Sequence, residues 1–351
     1  MAEEIQSKKH AVDHLPLERL EKYLAACIDG FRGPLEVNKF SGGQSNPTFK
    51  LQAVSGTYVL RRQPPGKLLK SAHAVDREFR VMRALAGTDV PVPRVLHLCE
   101  DRELIGSLFY VMEYCEGRIF WNAALPDVDG AERSAIYEEM NRVLAALHSV
   151  DVETVGLSDY GRPGNYFQRQ FERWSGQYRA SETEKIAAMD ELIGWLSGAL
   201  PEDDGRVALV HGDYRLDNII FAPAEPRAIA VLDWELSTLG HPFADLAYQC
   251  MQLRMPADGD RISGLMGVDR HGLGIPTEAE YVARYCERMG IGKIDNWAFY
   301  LAFSFFRLAA IIQGVAKRAR DGTASNKNAA RLGALVEPVA RMALNMIEKE
   351  Y

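Results

Sequence analysis

The sequence predicts an α+β fold, with a small N-terminal part built on an antiparallel sheet and a larger, mostly helical C-terminal part. Three observations carry this. Short apolar runs of strand length fill Val37–Leu60 and recur at Leu108–Tyr114. From about residue 118 the apolar positions fall at helical spacing instead, as in Ile136, Met140, Val143, Leu144 and Leu147. One strand pair then interrupts the helices: Asn218–Phe221 and Ile229–Leu232 flank a proline-broken turn at Ala222–Arg227. At 351 residues the chain is long enough for two parts, each with a core.

The elements follow in order. Residues 1–13 are polar and read as frayed. Leu15, Leu17, Leu20 and Leu24 then mark a short amphipathic helix stopped by Gly30 and Gly33, so residues 1–30 form an extension and helix. Strands are expected at Val37–Phe40, Thr48–Leu51 and Tyr58–Arg61, with Gln63-Pro64-Pro65-Gly66 breaking the last. Ser71 opens a helix through Val75, Phe79, Met82 and Leu85. Pro91–Leu96 starts another strand, and Leu108–Tyr114 runs into the turn Cys115-Glu116-Gly117, which sets boundaries at 31–114 and 115–351. Helices are then expected over 131–148, 186–200, 277–290 and 293–320, with a last one beyond the loop Asp321–Lys327. Phe167, Phe171, Trp174 and Tyr178 form an aromatic stripe of the kind that builds a core.

Composition narrows the partners. Hydrophobic content is 47% and charged content 25%, as in ordinary globular domains. A net charge of −7 gives nucleic-acid binding no support. Five scattered cysteines without a C-x-x-C pair fit free thiols in a reducing compartment. The N-terminus has no apolar signal region, and the apolar stretch Ala302–Val315 is too short for a membrane span and reads as a buried helix. A cytoplasmic protein with no membrane partner is expected; the oligomeric state is left open.

The chemistry concentrates in Leu209–Tyr248. Asp213 and Asn218 lie at or just before the first strand of the predicted hairpin, and Asp233 just after the second. A hairpin returns the chain on itself, so the three should meet at one end. Two carboxylates and an amide oxygen suit a hard cation such as Mg²⁺ better than zinc. A polar hairpin with surface carboxylates is the plainer alternative, but Asp and Asn beside buried strands need partners. In the N-terminal part, the loop Ser41, Gly42, Gly43, Gln44, Ser45 and Asn46 could bring backbone N–H groups close to a phosphate. A common Gly-Gly turn would look the same.

Asp213 and Asn218 form D-x-x-x-x-N, the catalytic-loop spacing of protein-kinase-type enzymes, and Asp233 follows where those enzymes carry their main metal-binding Asp. His211-Gly212-Asp213 replaces His-Arg-Asp, and Asp233-Trp234-Glu235 replaces Asp-Phe-Gly. With these replacements the chain resembles the aminoglycoside phosphotransferase and choline kinase-like family, from about residue 30 to 320. The run Tyr58–Leu69 followed by Ser71-Ala72-His73 is similar to the kinase-like domain fused ahead of acyl-CoA dehydrogenase in some larger proteins. No G-x-G-x-x-G supports a flavin or dehydrogenase activity here.

The resemblance implies a protein-kinase-like two-lobe fold, with a nucleotide-binding N-lobe and a helical C-lobe holding the catalytic loop and acceptor site. It implies ATP and Mg²⁺ as cofactors and a small hydroxylated molecule, a hydroxyacyl-CoA or an aminoglycoside-like alcohol, as acceptor. Asp213 would orient the hydroxyl and accept its proton, with His211 in the same catalytic motif; Asn218 and Asp233 would hold Mg²⁺. Ser41, Gly42, Gly43, Ser45 and Asn46 would position the donor phosphates. Arg61 stands where kinases carry Lys, with Glu78 as its expected helix partner. An exposed edge-strand Arg and a solvated Glu are the alternatives. Met112, Glu113 and Cys115 would form the hinge against the adenine. Asp245 would steady the catalytic loop through its backbone, unless it merely favours a helix N-terminus. A protein acceptor is disfavoured, because Gly240-His241-Pro242 follows Asp233 by seven residues, too soon for a long activation loop. A nucleotide-binding protein without chemistry remains the rival, on the strength of Arg61.

Overall fold

A computed structural model describes residues 15–40, 46–64, 73–257, 264–322 and 332–350. The polar residues 1–13, the loop residues Ser41, Gly42, Gly43, Gln44 and Ser45, the run from Pro65 to Ala72, and residues 323–327 of the loop before the last helix lie outside the described residues.

In chain order the elements are α1 (Leu17–Cys27), β1 (Glu36–Lys39), β2 (Thr48–Ala53), β3 (Gly56–Arg62), α2 (Val75–Leu85), β4 (Val95–Cys99), α3 (Arg102–Ile105), β5 (Phe109–Glu113) and α4 (Gly130–His148). They continue with α5 (Tyr166–Ser181), α6 (Ala187–Gly198), β6 (Ala208–Val210), β7 (Ile219–Phe221), β8 (Ala228–Val231) and β9 (Thr238–Gly240). The chain ends with α7 (Phe243–Leu253), α8 (Arg270–Leu273), α9 (Glu278–Met289), α10 (Trp297–Arg320) and α11 (Val336–Glu350). Two compact units result. One is Met1–Ile119 with Thr154–Leu157 and Asp217–Ser237; the other is Phe120–Glu153, Ser158–Leu216 and Thr238–Tyr351.

The first unit is built on an antiparallel sheet in the order β1-β2-β3-β5-β4. Period-two alternation splits it into two faces. Phe49, Leu51, Leu60, Phe109 and Val111 share one core with Leu20 and Leu24 of α1 and with Leu104 and Ile105 of α3. Helix α2 packs on β4 and β5 and buries Val75, Glu78, Val81, Met82 and Leu85. A buried glutamate among those apolar residues is a demand for partners. The predicted hairpin is present as β7 and β8, with Ile219 opposite Val231 and Ile220 opposite Ala230. It is tied to residue 118 by paired backbone bonds, Arg118 N–H to Phe221 O at 2.8 Å and Phe221 N–H to Arg118 O at 2.9 Å.

The second unit is mostly helical. Helix α10 packs against α5, α6, α7 and α11. Phe167 of the predicted aromatic stripe lies edge-on to Phe299 and Phe303, with centroids at 5.5 Å and 5.4 Å. The apolar stretch expected to be too short for a membrane belongs to a longer element. α10 runs for 24 residues and is the helix, among those described, long and apolar enough to cross a membrane by length and composition. Most of its apolar window is buried inside the protein, in keeping with the expected core helix. A two-stranded ribbon, β6 with β9, adds to the predicted elements; it brackets the catalytic-loop motif in sequence and pairs Val210 with Thr238. Three-residue strands carry too little periodicity to be read.

Candidate active site

In the first unit the predicted residues gather on the α2 side of the sheet. Arg61 is neither exposed nor at an edge, because β3 is the central strand and its side chain is only 12% exposed. Its Nε lies 2.9 Å from Glu78 Oε2, and its Nη2 donates to Asp233 Oδ1 at 2.6 Å. Glu235 Oε2 is farther, at 3.9 Å. Tyr110, directly across the sheet from Arg61, donates its hydroxyl to Glu78 Oε2 at 3.1 Å.

Asn46, expected to meet phosphate, is fully buried instead. Its amide donates to Glu78 Oε1 at 2.8 Å, and its Oδ1 lies 3.0 Å from His73 Nδ1. Its side chain braces Glu78, which corrects its part as a phosphate donor. Burial pushes the Glu78 carboxyl up to about 7; Asp233 and Glu235 add to the rise, while Arg61 and Tyr110 oppose it. For Arg61 burial favours the neutral form, but Glu78, Tyr110, Asp233 and Glu235 outweigh it and hold the guanidinium above its usual range. Arg61 therefore stays a cation.

Asp233 sits at φ 64° and ψ 57°, the left-handed region that few non-glycine residues occupy. A three-residue 3₁₀ turn, Trp234–Leu236, follows it and packs on α2. At the other side of the hairpin mouth, a 3₁₀ turn over Leu216–Asn218 delivers Asn218, whose carbonyl accepts Leu232 N–H at 2.8 Å. Asn218 and Asp233 thus stand at the same end of one hairpin, as expected. Among the described residues no three His, Cys, Asp or Glu side chains converge as a metal site. A Mg²⁺ carried on phosphates needs only one or two protein oxygens, and an amide oxygen with a carboxylate fits that requirement.

Of the residues expected at the hinge, Met112 and Glu113 end β5 and Cys115 follows it. Met112 is buried, and Glu113 N–H donates to Arg94 O at 2.9 Å. That bond removes one backbone group which the hinge reading offers to an adenine. Burial, with the Glu113 charge adding, pushes the half-buried Cys115 thiol up to about 11, so it is no nucleophile at neutral pH.

The second unit holds the His211-Gly212-Asp213 part of the motif. Asp245, in the first turn of α7, is buried, and its Oδ2 and Oδ1 accept His211 N–H at 2.6 Å and Gly212 N–H at 2.8 Å. This is the backbone support expected of it. His148 Nε2 lies 3.3 Å from the same Oδ2, and Tyr285 Oη meets His148 Nδ1 at 2.7 Å. Burial alone would raise the Asp245 carboxyl; contacts from His148 and His211 outweigh burial and hold it below the carboxylate range. His211 is completely buried, and its Nδ1 accepts Asp213 N–H at 3.2 Å. It shapes the loop rather than meeting a substrate, which corrects its place in the catalytic set. Asp213 Oδ2 lies 3.6 Å from Arg215 Nε.

Sequence reasoning missed Tyr110, His73 and Glu235 as members of the network around Arg61 and Glu78, and Arg307, whose Nη2 donates to the Gly212 carbonyl at 2.7 Å, as a member of the network around the loop. Arg307 carried a readable signal, a cation inside the apolar stretch Ala302–Val315, and Glu235 stood in the Asp233-Trp234-Glu235 motif; Tyr110 carried none.

This strand order, with a cation tied to a helix glutamate and to the Asp after the hairpin, defines a kinase-like phosphotransferase fold. The chain belongs to the phosphotransferase enzyme (APH) family, whose profile matches residues 36–297. It is 50% identical over 337 residues to mouse acyl-CoA dehydrogenase family member 10, covering 96% of this chain and 31% of that protein. With rat acyl-CoA dehydrogenase family member 11 it shares 43% identity over 98% of this chain and 45% of the other. The chain thus spans less than half the length of these relatives. A crystal structure of a Ralstonia eutropha protein assigned as an aminoglycoside phosphotransferase superposes with TM-score 0.87 at 51% identity, covering 96% of this chain and 99% of that one. The ternary complex of a thermostable mutant of the aminoglycoside phosphotransferase APH(4)-Ia with AMP-PNP and hygromycin B shares the fold, at TM-score 0.58 and 18% identity, over 92% of this chain and 98% of that one.

Proposed function

We propose that this protein is a small-molecule kinase that moves the γ-phosphoryl group of ATP to a substrate hydroxyl with Mg²⁺. The observation that carries the reading is Arg61, bound at once to Glu78 and Asp233 at 2.9 Å and 2.6 Å. A cation so held is poised to grip phosphate oxygens. Asn218 and Asp233 would hold Mg²⁺, which when bound offsets charge developing on the phosphates. Asp213 accepts the proton of the acceptor hydroxyl. The hydroxyl oxygen forms the new bond to the γ-phosphorus, the bond to the β,γ-bridging oxygen breaks, and ADP leaves. Met112, the Glu113 carbonyl and Cys115 would border the adenine, and the loop Ser41, Gly42, Gly43 and Ser45, outside the described residues, would position the phosphates of ATP.

A hydroxylated acyl-CoA is the acceptor we favour. Arg215 Nε stands 3.6 Å from Asp213, and Arg307 donates to the neighbouring Gly212 carbonyl at 2.7 Å. Cations beside the catalytic loop suit an anionic acceptor and oppose a polycationic aminoglycoside. The relatives named for acyl-CoA dehydrogenase point the same way. A second reading, nucleotide binding without chemistry, is kept alive by Arg61 in the place of Lys. Free cysteines and the charge of −7 suit a cytoplasmic protein without nucleic-acid partners.

The test is Mg²⁺-dependent ADP release with a panel of hydroxylated acyl-CoAs, aminoglycosides and choline-like alcohols. Asp213→Asn should abolish release while nucleotide binding persists. Equal turnover by that variant and the wild type would remove Asp213 from the reaction, and nucleotide binding without turnover on any acceptor would favour the second reading.

A further inference from the structure

We propose that Arg307 is a positioning residue for the catalytic loop, clamping the peptide that carries Asp213; the inference rests on the phosphotransferase reading. Arg307 lies near the middle of α10, flanked by apolar residues from Phe305 to Ile312. Its Nη2 donates to the Gly212 carbonyl at 2.7 Å. The N–H of the same glycine donates to Asp245 Oδ1 at 2.8 Å. Both polar groups of Gly212 are therefore held by full charges of opposite sign, from α10 on one side and α7 on the other. Charge-assisted bonds of this kind are about twice as strong as neutral ones.

Gly212 needs such holding. Its φ is +84°, a region glycine enters freely but is also free to leave. The carbonyl that Arg307 grips belongs to the Gly212–Asp213 peptide, so its direction sets where Asp213 departs from the loop. The guanidinium is itself pinned between rings: its carbon lies 5.7 Å from the Trp174 centroid and 5.2 Å from that of Tyr248. Such cation–π contacts favour a planar guanidinium over an ammonium. Tyr248 is buried, and burial together with the adjacent Asp213 charge holds its hydroxyl protonated, available to that carboxylate as a donor. One cluster from α5, α7 and α10 thus orients both the backbone and the carboxylate of Asp213.

The clamp should act on turnover rather than on nucleotide capture. Misplacing a catalytic group by about 1 Å can cost roughly a hundredfold. Arg307→Ala and Arg307→Lys are therefore expected to lower kcat by about tenfold to a hundredfold with nucleotide KM changed less than about threefold. Added guanidinium ion should restore part of the Arg307→Ala turnover. Arg341→Ala, which breaks a surface pair with Glu337 on the last helix, serves as the control with unchanged kcat.

Amide hydrogen exchange over His211–Tyr214 gives a readout that needs no acceptor. Faster exchange there in Arg307→Lys than in wild type is expected, and Arg307→Lys carries the test should Arg307→Ala not fold. Unchanged exchange would overturn the inference whatever the acceptor panel shows. If Asp213→Asn is inactive while both Arg307 variants turn over like wild type, the clamp is refuted and the phosphotransferase reading survives. If the wild type shows no Asp213-dependent turnover, the reading fails, and faster exchange would leave Arg307 as a loop clamp in a binding protein.

Discussion

Arg61 Nη2 and Asp233 Oδ1 stand 2.6 Å apart, although 172 positions separate the two residues in the chain. One guanidinium joins a residue of the central strand to the acidic residue that follows the β7–β8 hairpin. Its second contact, to Glu78 of α2, makes it the node of the first unit's polar network.

That node should be sensitive to geometry as well as charge. A single ammonium cannot reproduce the two-sided grip, so Arg61→Lys should raise the nucleotide KM about tenfold, the equivalent of one charge-assisted bond of about 1.5 kcal/mol. Nucleotide titration and steady-state kinetics measure it. Equal or better performance by Lys would show that charge alone matters at this site.

Glu78 makes stability depend on pH. Its carboxyl binds a proton more tightly folded, at about 7, than unfolded. The sign follows: between about 4.3, the unfolded value, and the folded value, the folded state holds the extra proton, so stability falls as pH rises. Urea melts at acidic and neutral pH should show wild type losing ground to Glu78→Gln across that window. Parallel pH curves for the two proteins would place the Glu78 proton elsewhere.

Asp245 acts in the opposite sense. Its carboxyl is depressed on folding, so its contribution is present above about 3.9, the unfolded value, and is lost as pH falls through the folded one. Asp245→Ala would strip acceptors from two backbone N–H groups and leave His148 without its carboxylate. At about 1–3 kcal/mol per orphaned buried group, a loss of at least about 3 kcal/mol is expected at neutral pH. Denaturant unfolding checks it, and a loss under 1 kcal/mol, the scale of one ordinary hydrogen bond, would contradict it.

Gly117 tests the turn after β5. A methyl group there would lie 2.3 Å from Phe221 O and 2.5 Å from Ile220 Cγ2, where the chain lies against β7. Gly117→Ala should cost about 1–3 kcal/mol through overpacking and loosen the paired bonds between Arg118 and Phe221. Thermal unfolding and proteolysis near residue 118 report on it, and an unaltered midpoint would mean that the turn relaxes freely.

The sequence by itself determined a good deal. Short apolar runs of strand length located β2, β3 and β5, helical periodicity located α4, α6 and α10, and the spacing of Asp213, Asn218 and Asp233 pointed to the family. These signals are local, each written within roughly two dozen residues or fewer. What tertiary structure decided is where polar groups meet. Asn46 looked like a phosphate donor because it follows glycines, yet folding buries it beneath Glu78. His211 looked catalytic because it opens the motif, yet its ring is spent on Asp213 N–H. Arg307 looked like an interruption of an apolar helix until α10 packed it between Trp174 and Tyr248 beside Gly212. The physical reason is common to all three. A buried polar group must find partners wherever packing places them, and those partners come from distant parts of the chain that no local pattern records.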